Sequence, residues 1–191
     1  DPNYDLYQLA LRSTAQRLYP NYANVDWSVN AGYDKNDPRT YVSTMGCRTY
    51  NGFDINGLGY LKDGRGNIAP VTIIMPTLAM EANKNINEFM ELLDTKIHEA
   101  KDMLIERYQW ICNQNPASAQ FMYENGLMAG YDGKSIESAM KHGTLVIGQL
   151  GLAETLQILI GKDHTTSEGM ALAKTIESLF NSFIYFLFLL F

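Results

Sequence analysis

The sequence predicts a mixed α/β fold, and three observations carry that expectation. Short runs rich in Tyr, Val, Ile and Thr fill the stretch from Tyr41 to Met75, broken by Gly52, Gly57, Gly59, Gly64 and Gly66, which is how strands and turns read. Ile86, Phe89, Leu93, Ile97, Ala100, Leu104, Tyr108 and Ile111 then recur at three- and four-residue steps, the stripe of a long helix with one face turned inward. Behind it a short apolar run, Leu145 to Ile147, sits between two helical patterns. Strands alternating with helices point to an α/β architecture.

Taken in order, Asp5 to Leu18 places Leu6, Leu9, Ala10 and Leu18 as a short amphipathic helix that Pro20 ends. Tyr19 to Thr40 has no period and reads as loop. Asp63-Gly64 fits a tight hairpin. Val71 to Met75 is a continuous apolar run stopped by Pro76, as expected of a strand buried on both faces. The long helix stops before Pro116, and Glu91, Lys96, Glu99 and Lys101 mark its solvated face.

Further helices are expected over Ser135 to Lys141 and over Gly151 to Ile160, the latter ended by Gly161. Thr165 with Glu168 three residues on has the pattern of a capping box for a last helix through Leu179, with Ala171, Leu172, Ile176 and Leu179 on one face. From Phe183 to Phe191 the only polar side-chain group is the Tyr185 hydroxyl. A membrane-spanning helix needs about 20 apolar residues, so this run is too short and reads as a buried or disordered end.

The 191 residues, 46% of them hydrophobic and 19% charged, suit a packed globular domain. A net charge of -6 excludes a protein that coats a phosphate backbone, so no direct nucleic-acid partner is expected. Cys47 and Cys112 cannot make a four-thiolate zinc site. His98, His142 and His164 lack metal-ligand spacing and read as satisfied or solvated imidazoles, so no metal site is expected. Gly57-x-Gly59 lacks the third glycine and the helix of a dinucleotide-binding loop. The chain starts at Asp1 with no signal-like segment, which reads as a cytoplasmic protein, without membrane contact, whose N-terminal part is missing or processed.

Cys47 lies in Ser43-Thr44-Met45-Gly46-Cys47-Arg48-Thr49, between strand-like runs. Arg48 could lower the thiol pKa and favour a thiolate, but a lone cysteine is also an ordinary small buried side chain. The local residues leave both readings open.

The wider pattern is more specific. Met45-Gly46-Cys47-Arg48-Thr49, Gly64-Arg65-Gly66-Asn67 and the Thr72 to Pro76 strand resemble class III anaerobic ribonucleoside-triphosphate reductases, of the glycyl radical enzyme family. Asp1-Pro2-Asn3-Tyr4-Asp5 looks like the segment upstream of that family's finger loop, and Gly148-Gln149-Leu150-Gly151-Leu152-Ala153-Glu154 like its Gly-Leu-Ala-Glu segment. The resemblance covers about Asp1 to Phe180, and several ordered motifs together are more specific than any one glycine pattern.

The resemblance implies part of a ten-stranded α/β barrel over residues 1–180, with a central cysteine finger loop near 43–49, followed by an apolar tail over 181–191. It implies that Cys47 becomes the thiyl that removes the 3′ hydrogen of a ribonucleoside triphosphate, with formate as reductant. Asn67 matches the active-site asparagine, whose neutral amide can bond ribose hydroxyls or formate, although Gly66-Asn67 is also turn chemistry. Met45, Gly46, Arg48 and Thr49 would flank the substrate. The implied cofactor is a glycyl radical, made by an S-adenosylmethionine iron–sulfur activating enzyme, and the implied assembly is a homodimer.

This chain departs from the family pattern in several places. It has no counterpart of the glycyl-radical segment, since Ala129-Gly130-Tyr131 stands in the wrong place and context, and none of the cysteine-ligated zinc site, the N-terminal ATP-binding domain or the second active-site cysteine. The tail from Ser182 to Phe191 suggests truncation, with a reading-frame change replacing the natural continuation, and a chain inactive alone. Two alternatives are another glycyl radical enzyme of the pyruvate formate-lyase kind, which the lone Cys47 fits poorly, and a non-catalytic remnant that binds nucleotide or a partner chain.

Overall fold

The computed structural model describes residues 3–17, 22, 34, 36–41, 43–45 and 49–187. In chain order these form α1 (Tyr4–Arg17), β1 (Ser43–Met45), β2 (Thr49–Asn51), β3 (Asn67–Ile74), α2 (Met75–Glu81), α3 (Ile86–Cys112), α4 (Gln120–Glu124), α5 (Ile136–Met140), β4 (Thr144–Leu150), α6 (Leu152–Ile160) and α7 (Ser167–Leu187). The fold is mixed α/β and mostly helical. Its strands make an antiparallel pair, β1 with β2, and a parallel pair, β3 with β4.

The chain divides into two compact units, one of residues 1–66 and 115–143, the other of residues 67–114 and 144–191. The second unit holds the apolar core. Asn67 to Ile74 pairs with Thr144 to Leu150, and a parallel pair needs a crossover long enough to bring the chain back to the same end. Ile73, Phe89, Leu93, Ile97, Leu156 and Ile176 meet in one buried cluster drawn from β3, α3, α6 and α7. The inner stripe of α3 is buried at Phe89, Leu93, Ile97, Ala100 and Leu104 as its periodicity predicts, while Ile86 at its start is exposed and Tyr108 and Ile111 near its end are only half-buried. Asn85 starts that helix by accepting from the Asn87 and Glu88 amides at 3.0 and 3.3 Å, satisfying N–H groups that have no partner inside the helix.

Around β3 the sequence reading is corrected. Ala69 and Ile73 are buried but Pro70, Thr72 and Ile74 are exposed, so within its unit the strand buries one face, not two. A run whose one polar residue is Thr72 hides most of this alternation, because burial follows the pleat and not the composition. Pro76 does more than stop the strand: it lies in the first turn of α2, where its missing N–H costs nothing. Leu145 to Ile147 lies in the first half of a longer, half-buried strand.

Helix ends follow local chemistry. Gly161 closes α6 at φ 68°, as expected of a left-handed cap. The capping box at Thr165 and Glu168 is not the one formed. Thr166 accepts from the Gly169 amide at 3.1 Å, Thr165 turns its hydroxyl to Asp163, and Glu168 pairs with Lys162. The cap shifts by one residue because Asp163 accepts both the amide and the hydroxyl of Thr165. The helix then continues past Leu179 to Leu187, and residues 188–191 lie outside the described residues.

The first unit is built differently. α1 spans nearly the predicted range, yet it has no buried residue; Leu6 and Leu9 are exposed, against the expectation of a covered apolar stripe. Asp63-Gly64 does turn, with Gly64 at φ 71°, but it joins no strand to a neighbour: the Gly64 carbonyl accepts instead from the Ala129 amide at 3.0 Å. Tyr123, Ile136, Ala139 and Met140 are buried, and so are the polar Asn51, Asp54 and His142.

Candidate active site

Cys47 falls in the connection between β1 and β2. The pair is antiparallel, with Ser43 opposite Asn51, Thr44 opposite Tyr50 and Met45 opposite Thr49. Met45 and Thr49, both expected to flank the substrate, are thus brought opposite each other at the last rung. Gly46, Cys47 and Arg48 lie outside the described residues.

Strands of three residues make few ladder bonds, and a hairpin of this size is marginal in water. Its base is held by other groups. Asn51, at the end of β2, donates its side-chain amide to the Lys62 carbonyl at 3.3 Å. Arg65 donates from Nη1 to the carbonyls of Gly52, the next residue, at 2.9 Å and of Leu61 at 2.8 Å. Its Nε donates to the His142 carbonyl at 3.1 Å.

Beneath this lies a buried charged cluster. Asp54 Oδ2 accepts from His142 Nδ1 at 2.9 Å and from the Leu58 amide at 2.8 Å, while Asp54 Oδ1 stands 3.9 Å from Arg65 Nη2. The Arg65, Asp54 and His142 side chains are between 4% and 6% exposed. Burial pushes the Asp54 carboxyl up, but the Leu58 amide, the His142 ring and the Arg65 charge together outweigh it and hold it below the ordinary value. A buried carboxylate keeps its charge when its oxygens are supplied with donors in this way.

No sequence motif marks Asp54, Arg65 and His142 together as site residues. The sequence reads His142 only as a satisfied or solvated imidazole, and it is the satisfied kind. Its partner is 88 positions away, so no local spacing could have paired them. Gly64, just before Arg65, is the one visible sign of a crowded backbone there, since an added carbon would stand 2.7 Å from the Ala129 amide nitrogen.

Asn67 opens β3 in the other unit, with Thr144 as its register partner. Asn67 Oδ1 and Thr144 Oγ1 are both buried without a hydrogen-bond partner, and such groups are uncommon enough to need a reason. The same unit has a groove of about 350 Å³ lined by residues including Thr72, Ile74, Glu81, Lys96, Glu99 and Met103. Lys96 and Glu99 there form an exposed pair at 2.6 Å, in keeping with a solvated helix face. Cys112 is half-buried at the end of α3. Among the described residues no cluster of three or more His, Cys, Asp or Glu side chains could hold a metal ion, and no helix is long and apolar enough to cross a membrane.

Comparison with known proteins matches the expectation from the motifs. The family model described as anaerobic ribonucleoside-triphosphate reductase matches residues 1–183. The anaerobic ribonucleoside-triphosphate reductase of Salmonella typhimurium is 30% identical over 184 residues, covering 92% of this chain and 25% of that protein. The Haemophilus influenzae protein of the same name is 31% identical, over 86% of this chain and 23% of its own length, and that of Enterobacteria phage T4 is 29% identical, over 85% and 28%. The chain spans about a quarter of the length of these curated relatives. A match over residues 1–183, a span that contains the motifs carrying the resemblance, assigns the chain to the anaerobic ribonucleoside-triphosphate reductase family.

Proposed function

We propose that this chain supplies the substrate-attacking thiol of an anaerobic ribonucleoside-triphosphate reductase, with Cys47 as the catalytic residue and residues 1–180 as part of the barrel that surrounds it. The observation that supports the reading is a family match over residues 1–183, together with a short antiparallel pair that flanks Cys47 in the sequence and whose β2 end is tied down by buried groups.

In this reading the sulfur radical of Cys47 takes the hydrogen atom from ribose C3′. One sulfur–hydrogen bond forms, one carbon–hydrogen bond breaks and the unpaired electron moves to carbon. The two bonds are of similar strength, so the step asks little of acids or bases and much of placement and exclusion of water. The radical that starts the reaction comes from a glycine, which activation by an S-adenosylmethionine iron–sulfur enzyme supplies, and formate is the reductant. Asn67 offers an unpaired carbonyl oxygen to a hydroxyl donor, which suits a ribose better than an anion. Met45, Gly46, Arg48 and Thr49 border the sugar, and the working enzyme is a dimer.

The test mixes this chain anaerobically with a polypeptide supplying the remaining reductase sequence, together with activating enzyme, formate and a ribonucleoside triphosphate. Deoxynucleotide formation that vanishes in Cys47→Ala is expected. An assembled complex making as much product with Cys47→Ala as without the change removes the proposal.

A further inference from the structure

We propose that Arg65, fixed by Asp54 and His142, is a positioning residue that sets the base of the β1–β2 hairpin, the pair of strands between which Cys47 stands in the sequence. This rests on the reading of Cys47 as the working thiol, and it goes beyond it by naming what holds that thiol's support in place.

The argument starts from a deficit. β1 and β2 are three residues each, too short to keep their register unaided. Restraint has to come from outside the ladder, and the described groups that supply it at the β2 end are the Asn51 side chain and Arg65. A guanidinium has five N–H donors in a rigid plane, and Arg65 uses them in different directions: toward Gly52 just after β2, toward Leu61 across the following loop, and toward His142, which is distant in sequence. One side chain thereby fixes three separate stretches of backbone against each other. A lysine, with a single nitrogen, could not reach all three.

The other two members keep the fork still. Asp54 Oδ1 faces Arg65 Nη2 at 3.9 Å and gives the buried cation a counter-charge, which an ion out of water requires. His142 acts twice: its carbonyl accepts from Arg65 Nε, and its Nδ1 donates to Asp54 Oδ2. The acid is also tied to its own loop by the Leu58 amide and by the Asp54–Gly59 backbone pair, at 2.7 and 3.2 Å. Each group in the ring of contacts is oriented by another, the condition for holding a reactive group on a rigid support. No proton transfer through His142 is implied, because Gly130 closes over its Nε2 edge.

The experiment uses the 191-residue chain with Arg65→Ala, Arg65→Lys and Asp54→Asn. Amide hydrogen exchange is followed over 43–51, 52–66, 115–143 and 86–112, and alkylation of Cys47 by iodoacetamide is timed in a Cys112→Ser background. Arg65→Ala is expected to speed exchange in 43–51 by about tenfold or more, since exchange reports local opening, and to change the Cys47 alkylation rate, with 86–112 unaltered. Arg65→Lys restores little of either effect, and Asp54→Asn gives a smaller version of both.

Unchanged exchange in 43–51 with Arg65→Ala overturns the proposal. So does an equal loss of protection across 52–66 and 115–143 in both Arg65 variants, which makes Arg65 a general structural residue. Neither readout involves turnover, so a failed assignment of Cys47 to catalysis and a failed assignment of Arg65 to positioning give different results.

Discussion

The imidazole of His142 lies against Gly130 so closely that a Cβ added at the glycine would stand 2.4 Å from both Cδ2 and Nε2. Gly130 is also at φ 76°, where a side chain is strained. Two independent requirements for glycine thus coincide on the residue that covers the buried cluster. The ring cannot yield, because Asp54 holds its other edge.

Gly130→Ala should therefore destabilise the first unit by about 3 kcal/mol, combining the left-handed backbone cost with a clash in a packed site. Gly133→Ala is the control: its φ is 81° but nothing lies within 4 Å of the added carbon, so only about 1 kcal/mol is expected. Denaturant unfolding followed by exchange over 115–143 measures both. Equal losses would show that the contact with His142 contributes nothing.

Asp54 should give the first unit an acid-sensitive component. Its carboxyl titrates below its ordinary value of 3.8 in the folded chain, so the unfolded state binds the proton more readily. The stabilisation it provides is then complete above the unfolded value and is lost as pH falls through the lower folded one. Asp54→Asn should lower stability at neutral pH by about 3 kcal/mol, because the buried Arg65 loses its counter-charge, and should flatten the pH dependence below 3.8. Urea midpoints taken from neutral to strongly acid pH are the measurement. A variant that keeps the steep acid limb would place the titrating group elsewhere.

At the start of α7 the two threonines separate the cap that forms from the one the motif suggests. Thr166→Ala removes the acceptor for the Gly169 amide and should cost about 1 kcal/mol. Thr165→Ala removes only an exposed hydroxyl bond to Asp163 and should cost clearly less. Thermal unfolding of the pair decides it; the opposite order would restore Thr165 as the cap.

What could be read in advance follows the range of each interaction. α3, α6 and the Gly161 cap are set by residues within a few positions of one another, and periodicity and cap chemistry registered them almost to their ends. α2 escaped because Pro76 reads as a stop when a strand is expected before it, yet a proline is equally at home in a first helical turn. The Thr165 motif failed for a related reason: a neighbouring carboxylate, Asp163, competes for the same hydroxyl.

By itself the sequence determined the α/β class, the long helix and the family, because the ordered motifs around Cys47, Asn67 and Gly148 to Glu154 are properties of the linear chain. Tertiary structure alone decided that Asp54, Arg65 and His142 share one buried site, that β3 pairs in parallel with β4, and that Gly64 and Gly130 are pressed against backbone and imidazole. Charge pairing in a low-dielectric interior depends on distance through space, and folding brings together Asp54 and His142 where no sequence period connects them.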